Sequence, residues 1–131
     1  NNTFLHSQRI VNDVQRIRTI VTYVAGLFRS LRFGAEEAHG QANLVQLNWL
    51  LEQGAIMQNE DGTYAIAFEK FMDSAEKLAT KVLTIEIEGD YDGAGELLEK
   101  YGKMTPEIEA TIERLKDIPR DLNTRYITEM N

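Results

Sequence analysis

The sequence contains no cysteine and only two histidines, His6 and His39. The missing thiols exclude a disulfide framework, a thiolate zinc site, an iron–sulfur cluster and a cysteine nucleophile, and they fit a reducing compartment. Proline is nearly absent, with two residues, while 43% of the chain is apolar and 27% charged, the composition of a folded domain rather than a disordered one. Positive charge is in deficit. Against 21 Asp+Glu stand 14 Lys+Arg, leaving a formal charge of −7, the wrong sign for general binding to a phosphate backbone, so no nucleic-acid partner is expected. No apolar run approaches the roughly 18 residues that span a bilayer. The opening Asn1-Asn2-Thr3-Phe4-Leu5-His6 lacks the basic start and apolar stretch of a signal peptide. The expectation is therefore a cytoplasmic location and no membrane partner. At 131 residues the chain is long enough to bury a core as one domain, residues 1–131.

Hydrophobic periodicity predicts a mainly α fold of about five helices with one small β-hairpin. Ile10, Val14, Ile17, Val21, Val24, Phe28 and Leu31 recur at alternating steps of four and three, giving a long first helix. Val11, Ile20 and Leu27 widen its stripe, so it should pack against more than one neighbour. A second helix is predicted over about Ala35 to Gln53, closed by Gly54. It carries two apolar stripes nearly opposite one another, Ala38-Ala42-Val45-Trp49 and Leu44-Leu47-Leu51, which implies burial on two sides. Between them run two polar tracks, His39-Asn43-Gln46 and Gln41-Asn48-Glu52. The first has no acid, Lys or Arg, which suits a groove wall or a partly buried polar network better than a solvated face.

Asp61-Gly62 between two short β-prone runs, Ala55 to Gln58 and Thr63 to Ala67, is a hairpin signal. A third helix is expected over about Phe68 to Glu86 and a short fourth from the Gly89-to-Gly93 turn through Tyr101. A fifth opens at Thr105-Pro106, a cap followed by proline in the first turn, and runs to about Lys116 before Pro119. The remainder, from Arg120 on, should be extended.

Chemistry-bearing motifs are few. There is no HExxH, and two histidines 33 positions apart offer no set of convergent zinc ligands, so no cofactor is expected on this chain alone. Asp90-Tyr91-Asp92-Gly93 begins like a calcium loop but has Ala94 and Gly95 where the next ligand and the turn glycine belong, which makes it a capped turn. Phosphate loops and nucleophile elbows are missing. His39 remains the one catalytic candidate, with Asn43 one turn along the same face; an imidazole there could donate to a substrate carbonyl.

Ala35-Glu36-Glu37-Ala38-His39-Gly40-Gln41-Ala42-Asn43-Leu44-Val45, followed by Trp49-Leu50-Leu51-Glu52-Gln53-Gly54-Ala55, resembles the C-terminal part of the dipeptidyl peptidase III family of zinc metallopeptidases. Gly89-Asp90-Tyr91-Asp92 and Asn123-Thr124-Arg125 extend the resemblance, which runs from about Gln8 to Arg125. It is nearest the bacterial branch, some of whose members carry MutT/nudix names because a nudix domain is joined to the peptidase-like region; no nudix box occurs here. In that family the zinc ligands and the catalytic glutamate lie upstream, on HExxGH and EExxAE/D-type helices.

The resemblance thus implies a C-terminal piece of a larger zinc hydrolase, inactive alone. Zinc would be held by the rest of the protein, the missing catalytic part would be its partner, and a peptide its substrate. It further implies that His39 faces the cleft to stabilise the oxyanion or hold the substrate carbonyl, and that Arg125 helps bind the peptide, with Asn43 beside them. Family members carry arginine four residues after that histidine, where Asn43 stands here. The competing expectation is a non-catalytic helical interaction or scaffold domain of a MutT/nudix-named multidomain protein. Either way, apolar helix faces exceed what five helices cover, and self-association is the expected relief.

Overall fold

The computed structural model describes residues 2–32, 34, 38–117 and 124–127. Five helices surround a small sheet: α1 (Asn2–Leu31), α2 (Ala38–Glu52), β1 (Ile56–Gln58), β2 (Tyr64–Ala67), α3 (Phe68–Glu88), α4 (Tyr91–Tyr101), α5 (Pro106–Asp117) and β3 (Thr124–Ile127). The mainly α architecture with an antiparallel hairpin is the one that periodicity predicts.

Two details differ from the sequence expectation. Helix α1 begins at Asn2 rather than at Ile10, because nothing from residue 2 to 9 is glycine or proline and an established helix propagates through such a stretch without an apolar face. Within the stretch expected to be extended, Thr124–Ile127 is a third strand: β3 runs parallel to β2, with Tyr64 opposite Thr124 and Ala67 opposite Ile127. The expected first residues of the second helix, 35–37, and the proline expected to end the fifth, at position 119, lie outside the described residues.

In the sheet, order β1-β2-β3, the hairpin register pairs Ile56 with Ile66 and Gln58 with Tyr64. Every residue of β2 is buried, as befits a central strand covered on both faces. The turn is built by polar side chains. Asp61 Oδ1 accepts from the Thr63 amide at 3.0 Å and from its hydroxyl at 2.6 Å, while Asn59 N donates to Thr63 O at 2.7 Å. Gly62 has φ 88°, and a side chain there would also collide with the Arg114 guanidinium, whose Nη2 donates to Gly62 O at 2.8 Å. That bond ties α5 to the hairpin.

Helix boundaries follow local chemistry. Asp90 caps α4 by accepting from Gly93 N at 2.9 Å, so the Asp90-to-Gly93 stretch is indeed a capped turn. Thr105 Oγ1 accepts from Ile108 N at 3.2 Å, leaving Pro106 at the first helical position, where its missing N–H costs nothing. Gly89 closes α3 in the left-handed conformation.

Helix α2 is buried on two sides, into two separate clusters. Leu44, Leu47 and Leu50 join Val24 and Phe28 of α1, Ile56 and Tyr64 of the hairpin, and Ile108 of α5 in the larger core. Val45 and Trp49 join Leu97 and Tyr101 of α4 in the smaller one. Ala38 and Ala42, assigned by spacing to one stripe with Val45 and Trp49, are exposed, so that stripe is buried only in its C-terminal half. Rings mark both clusters: Phe28 and Tyr64 lie 4.9 Å apart between centroids, and Trp49 meets Tyr101 edge-on at 5.2 Å. Emptying such a site, as in Phe28→Ala, costs about 3–5 kcal/mol.

Candidate functional site

The polar tracks of α2 resolve into engaged and unengaged residues. On one, Asn48 Nδ2 donates to Tyr101 O at 2.6 Å and to Lys103 O at 2.8 Å, fastening the C-terminal end of α4. Glu52, a turn further on, lies 3.6 Å from Lys100 Nζ. This track is a structural seam between α2 and α4. On the other, Gln46 is held at both ends. Its Oε1 accepts a hydrogen bond from the Tyr23 hydroxyl of α1, and its Nε2 donates to Ala42 O at 3.1 Å, within its own helix. Burial raises the pKa of Tyr23, so the phenol stays protonated and a donor through neutral pH.

That leaves His39 and Asn43, one turn apart on α2. His39 is exposed and Asn43 half-buried, and no hydrogen bond between described side chains engages either. Both sit where an incoming polar group could reach them. Arg125 lies elsewhere, on β3 opposite Ala65. The structure places His39 and Asn43 on one face of α2 and describes only the backbone of Arg125.

An apolar groove of about 810 Å³ opens between α1, α2, α3 and α4. Ala42 and Gln46 form its α2 edge, and His39 lies one turn N-terminal to them. Ile20, Phe71, Leu78, Val82 and Leu97 line its floor and walls. With Gln46 already tied to Tyr23, the groove offers almost no free hydrogen-bonding group, so it suits an apolar surface and not a peptide backbone. The sequence reading did not find Tyr23. Its only signal is a position one turn beyond Ile20 on the buried side of α1, which marks proximity to α2 but not the partner.

A metal centre needs convergent donors. Among the described residues no three His, Cys, Asp or Glu side chains come together to hold an ion, so the donor set does not fit zinc. No helix of the described residues is long and apolar enough to cross a membrane.

Comparison with known proteins gives three likenesses. The structure of DPP III from Caldithrix abyssi superposes with a TM-score of 0.72 at 42% identity, over 80% of this chain and 20% of that one. Dipeptidyl-peptidase III from Corallococcus sp. strain EGB superposes with a TM-score of 0.73 at 36% identity, over 92% of this chain and 23% of that one. Nudix hydrolase 3 from Arabidopsis thaliana is 38% identical over 108 residues, 81% of this chain. The chain spans about a fifth of the two solved structures and 14% of the plant protein. No family model matches it.

Proposed function

Since this chain belongs by fold and by sequence to the dipeptidyl peptidase III family, we propose that it forms one wall of a peptidase substrate cleft and supplies His39 to it. The observation that carries the reading is the state of α2: Gln46, Asn48 and Glu52 are all engaged within the fold, while His39 is exposed and no hydrogen bond among the described residues engages it. An imidazole N–H free of partners can donate to the carbonyl oxygen of a bound peptide. It would stabilise that oxygen more strongly as negative charge builds on it, which is the condition for accelerating the reaction. Asn43 would hold the neighbouring peptide unit with its side-chain amide. Arg125 would meet a peptide carbonyl or carboxylate. The hydrolytic zinc centre would belong to another part of a longer polypeptide, for which the donor set here gives no substitute.

The test is His39→Ala in a polypeptide that carries the hydrolytic centre as well as this segment. Turnover should fall about a hundredfold, roughly 3 kcal/mol of transition-state stabilisation. KM should change less, and Tm should stay close to the parent's because an exposed side chain is removed. Full turnover with a lowered Tm rejects the role. By itself the 131-residue chain should neither hydrolyse dipeptidyl substrates nor bind zinc stoichiometrically at sub-micromolar concentration.

A second reading draws on the likeness to Nudix hydrolase 3, which gives the segment a place in a protein of another name. Under it the domain is a helical scaffold, and His39→Ala leaves every activity of the whole protein unchanged.

A further inference from the structure

The turn of α2 that carries His39 is the least anchored part of that helix. Ala38, His39, Gln41 and Ala42 are exposed. Gly40 is buried but has no side chain to hold the turn, and glycine is a weaker helix former than alanine. Side-chain burial in α2 begins at Leu44, and among the described residues neither core cluster takes a side chain from the turn. An imidazole that must meet a carbonyl oxygen needs its backbone held, because a misplacement of about 1 Å can cost a hundredfold in rate.

Polar links supply the hold. The Tyr23 hydroxyl of α1 donates to Gln46 Oε1, and Gln46 Nε2 donates to Ala42 O at 3.1 Å. The Ala42 carbonyl shares its peptide unit with the Asn43 N–H, which in an α-helix donates to His39 O four residues back. Hydroxyl, side-chain amide and peptide unit thus form one hydrogen-bonded chain from α1 to His39. Aligned amides polarise one another, so each bond strengthens the next. The orientation of the Gln46 amide is decided as well. Ala42 O can only accept, so the amide nitrogen faces it and the amide oxygen faces Tyr23. At the other end the Tyr23 ring meets Phe71 of α3 edge-on, 6.0 Å between centroids, and Phe71 is buried in the larger core.

We propose that Tyr23 is a positioning residue: through Gln46 it holds the α2 turn that presents His39 to the substrate. This role rests on the reading of His39 as a cleft group and adds to it a side chain from another helix that acts without touching the substrate. Every link is made between residues of this segment, so the role does not depend on what covers the segment's outer faces in a longer polypeptide. Burial keeps the phenol protonated, and hence a donor, through neutral pH.

Two substitutions test it in a polypeptide that carries the hydrolytic centre as well as this segment. Tyr23→Phe keeps the ring against Phe71 and loses only the hydroxyl; Gln46→Met removes both side-chain bonds at matched length with a good helix former. Either should lower kcat about tenfold and leave KM within about twofold of the parent's. Both together should cost no more than one alone, since they cut the same chain. Introduced into His39→Ala, neither should lower kcat further, which a merely structural role would not predict. Amide exchange at residues 41–43, followed by mass spectrometry, should quicken about fivefold in Tyr23→Phe while residues 47–50 keep the parent's rate. With His39→Ala slow, the proposal is overturned by full kcat in Tyr23→Phe, by a loss that repeats undiminished in the His39→Ala background, or by unchanged exchange at 41–43. If His39→Ala is itself fully active, the reading of His39 has failed and the positioning role falls with it.

Discussion

The indole nitrogen of Trp49 donates to the backbone oxygen of Ser74 across 2.9 Å, while the buried Ser74 hydroxyl has no hydrogen-bond partner among the described residues. The two atoms of one serine therefore stand in opposite states, one contributing to the contact between α2 and α3 and the other opposing burial. Ser74→Ala removes only the second. We expect it to leave Tm unchanged or raise stability by up to about 1 kcal/mol, whereas Trp49→Phe should cost about 1–3 kcal/mol by removing this hydrogen bond and leaving part of the indole's space empty. Parallel thermal melts of the two variants check both signs.

Tyr64 and Thr111 give a pH dependence. The Thr111 hydroxyl donates to Glu107 O at 2.9 Å, so its one proton is taken and Tyr64 donates to it across 2.7 Å. Burial, the leading cause, raises the Tyr64 pKa above its ordinary 10.0, with Glu107 adding to the rise and Thr111 and Arg114 opposing it. A folded-state pKa above the unfolded one contributes stability below pH 10 that is lost as the pH climbs through the folded value. Tyr64→Phe should cost about 1 kcal/mol at pH 7 and flatten the fall in stability above pH 10. Denaturant melts from pH 7 to 11 decide it, and an unchanged alkaline slope refutes it.

Asn48 reads out differently on the acid side. Both of its amide hydrogens meet carbonyl oxygens, of Tyr101 and Lys103. Asn48→Ala should cost about 1–3 kcal/mol. Asn48→Asp should be worse at pH 7, where a carboxylate faces two carbonyls, and should recover in part as the pH falls through the range near 4 in which that acid takes up a proton. A melt at pH 7 and another near pH 3.5, each referred to the parent, measures the recovery.

Much of this was legible in the sequence. Apolar spacing located the first, second, third and fifth helices because their buried faces repeat every three or four residues, the fourth followed from the turn before it, and the Asp61-Gly62 turn, Asp90 cap and Thr105-Pro106 start are local chemistry that any context would honour. The two buried sides of α2 followed from its stripes. What stayed hidden depended on distant partners: the pairing of Thr124–Ile127 with β2, the bond from Tyr23 to Gln46, and the exposure of Ala38 and Ala42. Periodicity gives a residue's face but not what lies across from it. His39 and Asn43 were found through a neutral track on one helix, and the same pattern could not separate them from Gln46, which the fold has already engaged.

The hairpin turn yields a test of coupling. Gly62→Ala must strain a φ of 88° and displace the Arg114 guanidinium, whereas Arg114→Ala removes the obstacle but leaves the strain. The first should cost about 2 kcal/mol or more, of which the left-handed backbone alone supplies about 1–2. In the double variant the steric part vanishes, so the losses should sum to less than the two singles; strict additivity would show that the guanidinium and the turn do not interact.

The double burial of α2 bears on cooperativity. The larger cluster takes Leu44, Leu47 and Leu50 from it, and the smaller takes Val45 and Trp49, residues interleaved along about two turns of the same helix. Neither cluster can lose its wall without stripping the other, so the fold has no natural line along which to melt in halves. Heat should take both apart in a single transition, with matching calorimetric and van't Hoff enthalpies, and amide protons at the centre of α2 should exchange only when the whole domain opens.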